Sequence, residues 1–567
     1  MNPTPPEVSP PRSGTLALAL AVALSAVPLV VLGRIALLGH DALLHVFIAR
    51  LDDWGKLFTE IPRTAHPPVF FLALRASVAL FGTSPIVYRL VGIAATLGSS
   101  WLVGRIVQKT ASDRWLPAVA ALAFGTSLSA TSIGLDVRAY ALATLFMLWA
   151  CLALLTLVEQ AFGAPRHRAR AVFALTASLA LLTHYGTAIF LAGCFVAAAV
   201  LAALDREYRR RLLTEGRRHW RANLLALGTP AVVFATVYAA YLVSWKNRLS
   251  RHLPGFLFEA GREGALEFVW RNTRALFALL VPPLEYRSIE STLKFHRPEL
   301  PGALVAVLAV AALAAIAWLG FRPARAGGAG APTRRVPAIV LITMTALIIA
   351  LAFLGRYPYG GRLRHQFFLF PFALIVLVLL IDAVARRSGR RLAGLVVGLF
   401  ALGSVLNAAN WLRSYQVPPF DPFQVRTDRF YEQFPAPEAI FVDQFSLIQL
   451  FRRHHDRPWR FERRVRGRGP VDVWRVGEAG GGEFYVCLDS HWQLDLSSRL
   501  TYLRLAQCLD GTGGRRVVVF HEQHQDIPVR RPIPQTGEIA GQAAAVNLVA
   551  ERVVAGRAGV WAAFRRR

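Results

Sequence analysis

The sequence is poor in cysteine and methionine, with four and three residues respectively in a chain of 567. It has no C-x-x-C pair of the kind that binds zinc. It also lacks the GxxxxGK[ST] loop that holds nucleotide phosphates. These absences argue against a cysteine-based zinc site and against a P-loop nucleotide-binding domain.

Acidic residues are also scarce. There are 35 Asp and Glu against 64 Lys and Arg, which gives a formal net charge of +29. A basic excess often indicates nucleic-acid binding. Here the arginines crowd into short loops between apolar blocks, where they set the orientation of membrane helices. We therefore expect membrane lipids as partners and no nucleic acid.

Long apolar blocks are what the sequence has in abundance. Hydrophobic residues make up 54% of the chain and the mean hydropathy is +0.40. Apolar runs of about 18 residues or more are typical of transmembrane helices. We predict about eleven spans, at 15–38, 86–107, 116–133, 139–158, two within 171–204, and then 223–243, 303–320, 337–354, 367–385 and 392–411. The block 171–204 is divided because it is too long for one span and has polar residues at its centre.

The basic loops predict the orientation of these spans. With the N-terminus in the cytoplasm, every strongly basic short loop falls on the cytoplasmic side. This arrangement requires that residues 67–82 do not cross the bilayer, so we expect an amphipathic or re-entrant juxtamembrane helix on the outer surface. The chain is then a multi-pass protein of the cell (inner or plasma) membrane.

The composition changes after residue 411. Residues 1–14 are predicted to be disordered, 15–411 to form the membrane domain, and 412–567 to form an extracytoplasmic domain. Short β-rich runs at 439–442, 483–486 and 517–520 alternate with a helical pattern at 499–509, which indicates an α/β fold. Cys487 and Cys508 lie in this domain and would be free to form a disulfide in an oxidising compartment, but the sequence does not decide whether they do. The fold class is thus a polytopic α-helical membrane protein with a C-terminal extracytoplasmic α/β domain.

Asp41 is the sharpest candidate for chemistry, because it directly follows the first span and begins an amphipathic pattern. A carboxylate at this edge would orient or deprotonate an attacking hydroxyl. The same position suits a carboxylate that caps a helix, so both readings stay open. His45 lies one helical turn away and would pair with Asp41. His and Asp together also permit a divalent cation, although the set is incomplete as a metal signature.

A cationic group is predicted on the same outer face. Guanidinium groups bind phosphate with two hydrogen bonds, which favours an anionic lipid head group as the ligand. Taken alone, each arginine is also explained as a side chain that extends its charged group to the membrane–water interface without binding a ligand. Asp136 would position Arg138 without cancelling its role. The predicted phosphate-binding side chains are Arg138, His184, Arg362 and Arg364, with His66, Tyr140 and Tyr185 beside them.

Five short motifs, in order along residues 15–410, resemble the C-type integral-membrane glycosyltransferases, which include protein-mannosyl, aminoarabinose and rhizobial core-sugar transferases. The segment GHDALLH resembles the family's acidic first-loop motif, with Asp41 at the catalytic aspartate and Ala42 at the usual following glutamate. His66-Pro67-Pro68 matches the family's HPP motif. The remaining three are Tyr88-Arg89-Leu90, Asp136-Val137-Arg138-Ala139-Tyr140 and Thr183-His184-Tyr185. The segment from Arg362 to Pro371 is a weaker match.

This resemblance implies a GT-C fold and a glycosyltransferase, either a hexosyl- or a pentosyltransferase, that uses a polyprenyl-phosphate-linked sugar. It implies transfer on the outer face to a lipid, polysaccharide or protein acceptor. The main alternative is a transporter or flippase of a lipid-linked glycan, which would explain the spans and the cationic group but not an Asp beside an HPP loop. A non-catalytic member that only binds glycan is a third reading, because Ala42 replaces the usual glutamate.

Overall fold

The structure is a computed structural model. It describes residues 12–36, 38–51, 53–64, 66–162, 167–242, 256–280, 314–315, 317–321, 331–360, 363–388, 390–414, 422–452, 459–465, 471–478, 483–489, 494–522, 534–556 and 559–567.

All described elements up to Ser414 are helical. The α-helices are α1 (Arg12–Ile35), α2 (His40–Ala49), α3 (Trp54–Glu60), α4 (Val69–Phe81), α5 (Pro85–Thr110), α6 (Leu116–Gly125), α7 (Leu128–Leu135), α8 (Tyr140–Glu159), α9 (His167–Thr183), α10 (Thr187–Leu204), α11 (Arg206–Arg211), α12 (Trp220–Val237), α13 (Ala265–Leu280), α14 (Ala331–Phe353), α15 (Leu363–Gln366), α16 (Leu369–Ser388) and α17 (Arg390–Ser414).

Within the described residues, seven helices are long and apolar enough to cross a membrane. They are Gly14–Ile35, Pro85–Thr110, Tyr140–Glu159, Thr187–Leu204, Trp220–Ala240, Pro332–Phe353 and Leu369–Arg387. Each coincides with a predicted span, so the polytopic helical class is confirmed. The number eleven stays a prediction. Most of the predicted span 303–320 lies outside the described residues, and the helices His167–Thr183 and Gly394–Ala409 are not among the seven.

The third predicted span is bent. Helices α6 and α7 meet at 53° and together form one further candidate span. The break is local, because Ser127 lies in extended backbone and its hydroxyl accepts a hydrogen bond from the Ala130 N–H at 3.0 Å. An N-cap of this kind begins a new helix. The predicted span over 116–133 is therefore built from two helices that are joined at a bend.

Two other expectations about the helices agree with the structure. The predicted division of 171–204 is confirmed, because α9 ends at Thr183 and α10 begins at Thr187. Helix α4 has 13 residues, and at about 1.5 Å per residue it is too short to cross a hydrocarbon core of about 30 Å. It agrees with the expectation that 67–82 does not cross the bilayer.

The C-terminal part has the α/β composition that was predicted. Its helices are α18 (Pro422–Gln433), α19 (Gln444–Arg452), α20 (Arg499–Gly511) and α21 (Thr536–Ala544), and its strands are β1 (Ala439–Val442), β2 (Trp459–Val465), β3 (Val471–Glu478), β4 (Glu483–Asp489), β5 (Val517–Glu522), β6 (Leu548–Gly556) and β7 (Gly559–Arg566). The three predicted strands and the predicted helix are all present.

These strands form one seven-stranded sheet in the order β2-β3-β4-β1-β5-β7-β6. The central strand β1 pairs parallel with β4 and with β5, and the outer pairs are antiparallel. Strands β1 and β5 are buried along their whole length. This burial explains why Ala439–Val442 and Val517–Phe520 are continuous apolar runs rather than alternating apolar and polar patterns.

The chain divides into two compact units. The first, called the membrane unit, comprises Met1–Ala36, Glu60–Ala73 and Arg89–Gln416. The second, called the sheet unit, comprises Leu37–Thr59, Leu74–Tyr88 and Val417–Arg567. The segment with Asp41 therefore belongs to the sheet unit. The predicted domain boundary at residue 411 stays a prediction.

The sheet unit contains a disulfide. Cys487 on β4 is bonded to Cys508 on α20, at a sequence separation of 21 residues. The structure thus forms the bond that the sequence left open. Cys151 and Cys194 are free and buried.

We predict that replacing Cys487 and Cys508 together by serine lowers the free energy of unfolding of the sheet unit by about 3 kcal/mol, because the link restricts the unfolded chain. Thermal unfolding of the full-length protein in detergent measures this change, with the reduced wild type as the matched control. An unfolding transition unaffected by both the substitution and the reductant would contradict it.

Candidate active site

Four of the predicted side chains meet in one ring cluster of the membrane unit. The His184 ring lies 5.6 Å from His66, 5.2 Å from Tyr140 and 5.0 Å from Tyr185, measured between ring centroids. Phe367 closes the cluster, at 5.6 Å from His184 and 5.0 Å from Tyr140. Residues that are up to about 300 positions apart in the chain are thus brought together.

His184 is held in one tautomer by the bend between α9 and α10. The Gly186 N–H donates to its Nδ1 at 3.1 Å, so the proton of the neutral ring is on Nε2. Burial lowers the pKa of His184 to about 3. The His184 ring is therefore neutral at physiological pH and offers the Nε2–H as a hydrogen-bond donor.

Positive charge is supplied instead by arginines around Asp136. The turn between α7 and α8 brings Arg138 Nε to 3.3 Å from the Asp136 carboxylate. Burial raises the pKa of Asp136 to about 6, and the positive charges of Arg364 and Arg89 offset part of this rise. The expected pairing of Asp136 with Arg138 is present. Arg364 on α15 adds a second guanidinium to the same group.

Arg89 is a residue whose role the sequence did not reveal. Only 2% of its surface is exposed, and its guanidinium donates to the carbonyl oxygens of Gly33 at 2.8 Å, Ala36 at 2.8 Å and Leu135 at 3.1 Å. It thereby joins the C-terminal ends of α1 and α7. The signals in the sequence are the Tyr88-Arg89-Leu90 motif and the position of this arginine in the first turns of a spanning helix.

Tyr357 borders the His184 bend. Its hydroxyl donates to the His365 carbonyl at 2.7 Å, and a Cβ added to Gly186 would lie 2.9 Å from that hydroxyl. Gly186 thus permits close approach of the tyrosine, the imidazole and the backbone. Arg362, predicted to bind phosphate, lies outside the described residues.

Asp41 and His45 lie on α2 in the sheet unit. The N-cap residue of α2 is Gly39. Asp41 is therefore not the N-cap, and the alternative that it caps the helix is wrong. Asp41 sits in the first turn, where a carboxylate favours the helix dipole. It is partly buried and His45 is buried. A common pocket for Asp41 and the arginines stays a prediction.

No three His, Cys, Asp or Glu side chains converge as a metal site within the part of the chain that the structure describes. The divalent cation that His45 and Asp41 would permit is thus neither located nor assigned.

Residues 65–239 match the family of dolichyl-phosphate-mannose-protein mannosyltransferases. This segment contains His66, Asp136, Arg138, Tyr140 and His184. The resemblance to the C-type membrane glycosyltransferases is confirmed. Four of the five motifs lie in this stretch, and so do all members of the ring cluster except Phe367. No curated protein matches the chain in sequence.

Solved structures with a similar architecture include the oligosaccharyltransferase of Archaeoglobus fulgidus. Its apo form is 13% identical, with a TM-score of 0.45, and the match covers 78% of this chain and 64% of that one. Its complex with zinc and sulfate is 14% identical, with a TM-score of 0.47 and coverage of 88% and 67%. ArnT from Cupriavidus metallidurans bound to undecaprenyl phosphate is 14% identical, with a TM-score of 0.33 and coverage of 78% and 85%.

We predict that Gly186→Ala weakens binding of a polyprenyl phosphate by about tenfold, because the new Cβ displaces the His184 ring or the Tyr357 hydroxyl from its present position. Gly228→Ala is the matched control, since a Cβ there has nothing within 4 Å. Binding is measured with the purified protein in nanodiscs. Equal affinity of both variants would exclude the bend from the site.

We also predict that polyprenyl phosphodiester affinity rises by about fivefold as the pH falls from 7.5 to 5. The Asp136 pKa of about 6 lies within this range, so acidification removes one negative charge beside Arg138 and Arg364 while a phosphodiester keeps its own charge. Asp136→Asn should abolish the pH dependence. A flat wild-type profile, or the same slope in the variant, would contradict this assignment.

Proposed function

We propose that this protein transfers a sugar from a polyprenyl-phosphate donor to an acceptor on the extracytoplasmic face of the membrane. The observation that carries this proposal is the gathering of His66, Tyr140 and His184 within one unit that also holds the Asp136–Arg138 pair and Arg364. These residues lie between or beside the ends of apolar helices. A lipid-linked phosphate at the edge of a bilayer has the chemistry that such a group would bind.

The leaving phosphate would be held by Arg138, Arg364 and the His184 Nε2–H. Preorganised donors of this kind stabilise charge that develops as a bond breaks. The bond between the anomeric carbon and the phosphate oxygen breaks while the acceptor oxygen bonds to that carbon. Arg362 is proposed as a further phosphate ligand, with His66 and Tyr185 lining the site.

Asp41 is proposed to orient the acceptor and to take its proton. Deprotonation by a positioned carboxylate contributes about 10²- to 10⁴-fold to a rate. His45, one turn further along α2, would orient the carboxylate. The acceptor is a lipid, a polysaccharide or a protein, and the sugar a hexose or a pentose.

The extracytoplasmic placement is supported by two independent features. The Cys487–Cys508 disulfide fits an oxidising compartment. The arginine-rich helix α11 and the residues that follow it fit the cytoplasmic side. We therefore propose a multi-pass protein of the cell membrane with its N-terminus in the cytoplasm and its C-terminal domain outside.

We predict that Asp41→Asn lowers kcat for sugar transfer by about 10²-fold or more and leaves donor affinity unchanged. Arg138→Ala, in contrast, should weaken the affinity for the donor. The measurement uses a radiolabelled polyprenyl-phosphate sugar, with product and donor separated after incubation.

Asp53→Asn is the matched control, because Asp53 is an exposed acid whose carboxylate accepts a local hydrogen bond from the Gly55 N–H. Near-normal turnover by Asp41→Asn would remove Asp41 from the mechanism. Movement of the labelled lipid across the bilayer without covalent transfer would indicate a flippase instead.

A further inference from the structure

The helix that carries Asp41 rests on a helix of the C-terminal domain. The ring of His40 stacks on Phe445 of α19, with centroids 4.6 Å apart and planes at 30°. The side-chain amide of Gln449, one turn further along α19, donates to His40 Nδ1 at 2.8 Å. His40 is the first residue of α2 and directly precedes Asp41.

The other end of α2 makes contact with the same helix. Phe47 meets Phe451 edge to face at a centroid distance of 5.5 Å. The Arg50 guanidinium lies 5.5 Å from the centroid of the same Phe451 ring. With contacts at both ends, α2 is restrained against rotation about its axis and against sliding along it.

The following helix, α3, adds a third attachment point. Lys56 Nζ lies 2.6 Å from the Asp472 carboxylate on β3, and it also lies 5.1 Å from the centroid of the Trp474 ring. Only 7% of the Lys56 side chain is exposed. An ion pair that is partly shielded from water is screened less by salt than a fully exposed pair.

The supporting helix α19 is itself fixed to the sheet. Asp443, which follows β1, accepts hydrogen bonds from the Ser446 N–H at 2.6 Å and the Leu494 N–H at 2.9 Å. Its carboxylate also lies 2.8 Å from His521 Nδ1 at the end of β5. Asp443 therefore anchors the start of α19 to two neighbouring segments, and α19 is a rigid support.

We propose that α19 of the C-terminal domain positions the catalytic carboxylate, with Gln449 and Phe445 as positioning residues that act through His40. This assignment rests on the proposed function of Asp41. A reacting group displaced by about 1 Å loses about 100-fold in rate, so a bond to the residue next to Asp41 has a direct effect on transfer. The C-terminal domain is thus part of the catalytic apparatus.

Gln449→Leu tests this role, because it removes the donor to His40 and keeps a side chain of similar size. We expect kcat to fall about tenfold while the KM for the polyprenyl-phosphate sugar is unchanged, since the donor phosphate is held by the membrane unit. Amide hydrogen exchange along residues 41–50 should become faster, with no change along 369–388. Gln444→Leu, at the start of the same helix, is the matched control and should behave as the wild type.

The inference would be overturned by a normal kcat for Gln449→Leu, by an equal loss in Gln444→Leu, or by unchanged exchange along 41–50. A raised donor KM with a constant kcat would do so as well, because it would indicate damage to the phosphate site. If Asp41→Asn transfers sugar normally, the proposed function itself fails. An inactive Asp41→Asn together with a fully active Gln449→Leu rejects only the positioning role.

Discussion

The proposed phosphate site depends on the hydrogen bonds that the buried guanidinium of Arg89 donates. A charge removed from water is costly unless hydrogen bonds replace its hydration. Arg89 meets this constraint by donating to the carbonyl oxygens at the ends of two helices. The Leu135 carbonyl lies one residue before Asp136, so the same bonds fix the turn that carries Arg138. The same hydrogen bonds therefore stabilise the buried charge of Arg89 and hold the turn of the proposed site in place.

The two compact units divide the proposed chemistry between them. The membrane unit contributes the guanidinium groups and the neutral donor of His184, which suit a phosphate at the bilayer edge. The sheet unit contributes Asp41, on a helix that is supported by α19 rather than by a flexible loop. Such a division separates the groups for donor binding from the carboxylate for proton transfer. Each set then needs its own support, from Arg89 in one unit and from Gln449 and Phe445 in the other.

Much of the fold is predictable because hydropathy and strand patterns are local properties. The spans, the break at His184, and strands such as β1 and β5 follow directly from the composition of short windows. The bend at Ser127 is also local, but a hydroxyl in an apolar run gives only a weak signal. The number of spans and the role of Arg362 depend on residues that the structure does not describe.

The site is only partly predictable, because its geometry depends on long-range packing. The motifs identified His66, Tyr140 and His184, yet the neutral state of His184 follows from burial and from Gly186. The contact between His40 and Gln449 joins residues 409 positions apart, and no short sequence pattern predicts it. Arg89 likewise looks like an ordinary arginine at the start of a helix until its three carbonyl partners are in place.

The most direct test of the account locates the lipid phosphate on the protein. A polyprenyl phosphate with a photoreactive group beside the phosphate would be cross-linked to the full-length protein in nanodiscs, and the labelled peptides identified by mass spectrometry. We predict adducts within 136–140, 183–187 and 363–367, all of which excess unlabelled polyprenyl phosphate suppresses. Labelling that is absent from these three segments but specific elsewhere would contradict the account.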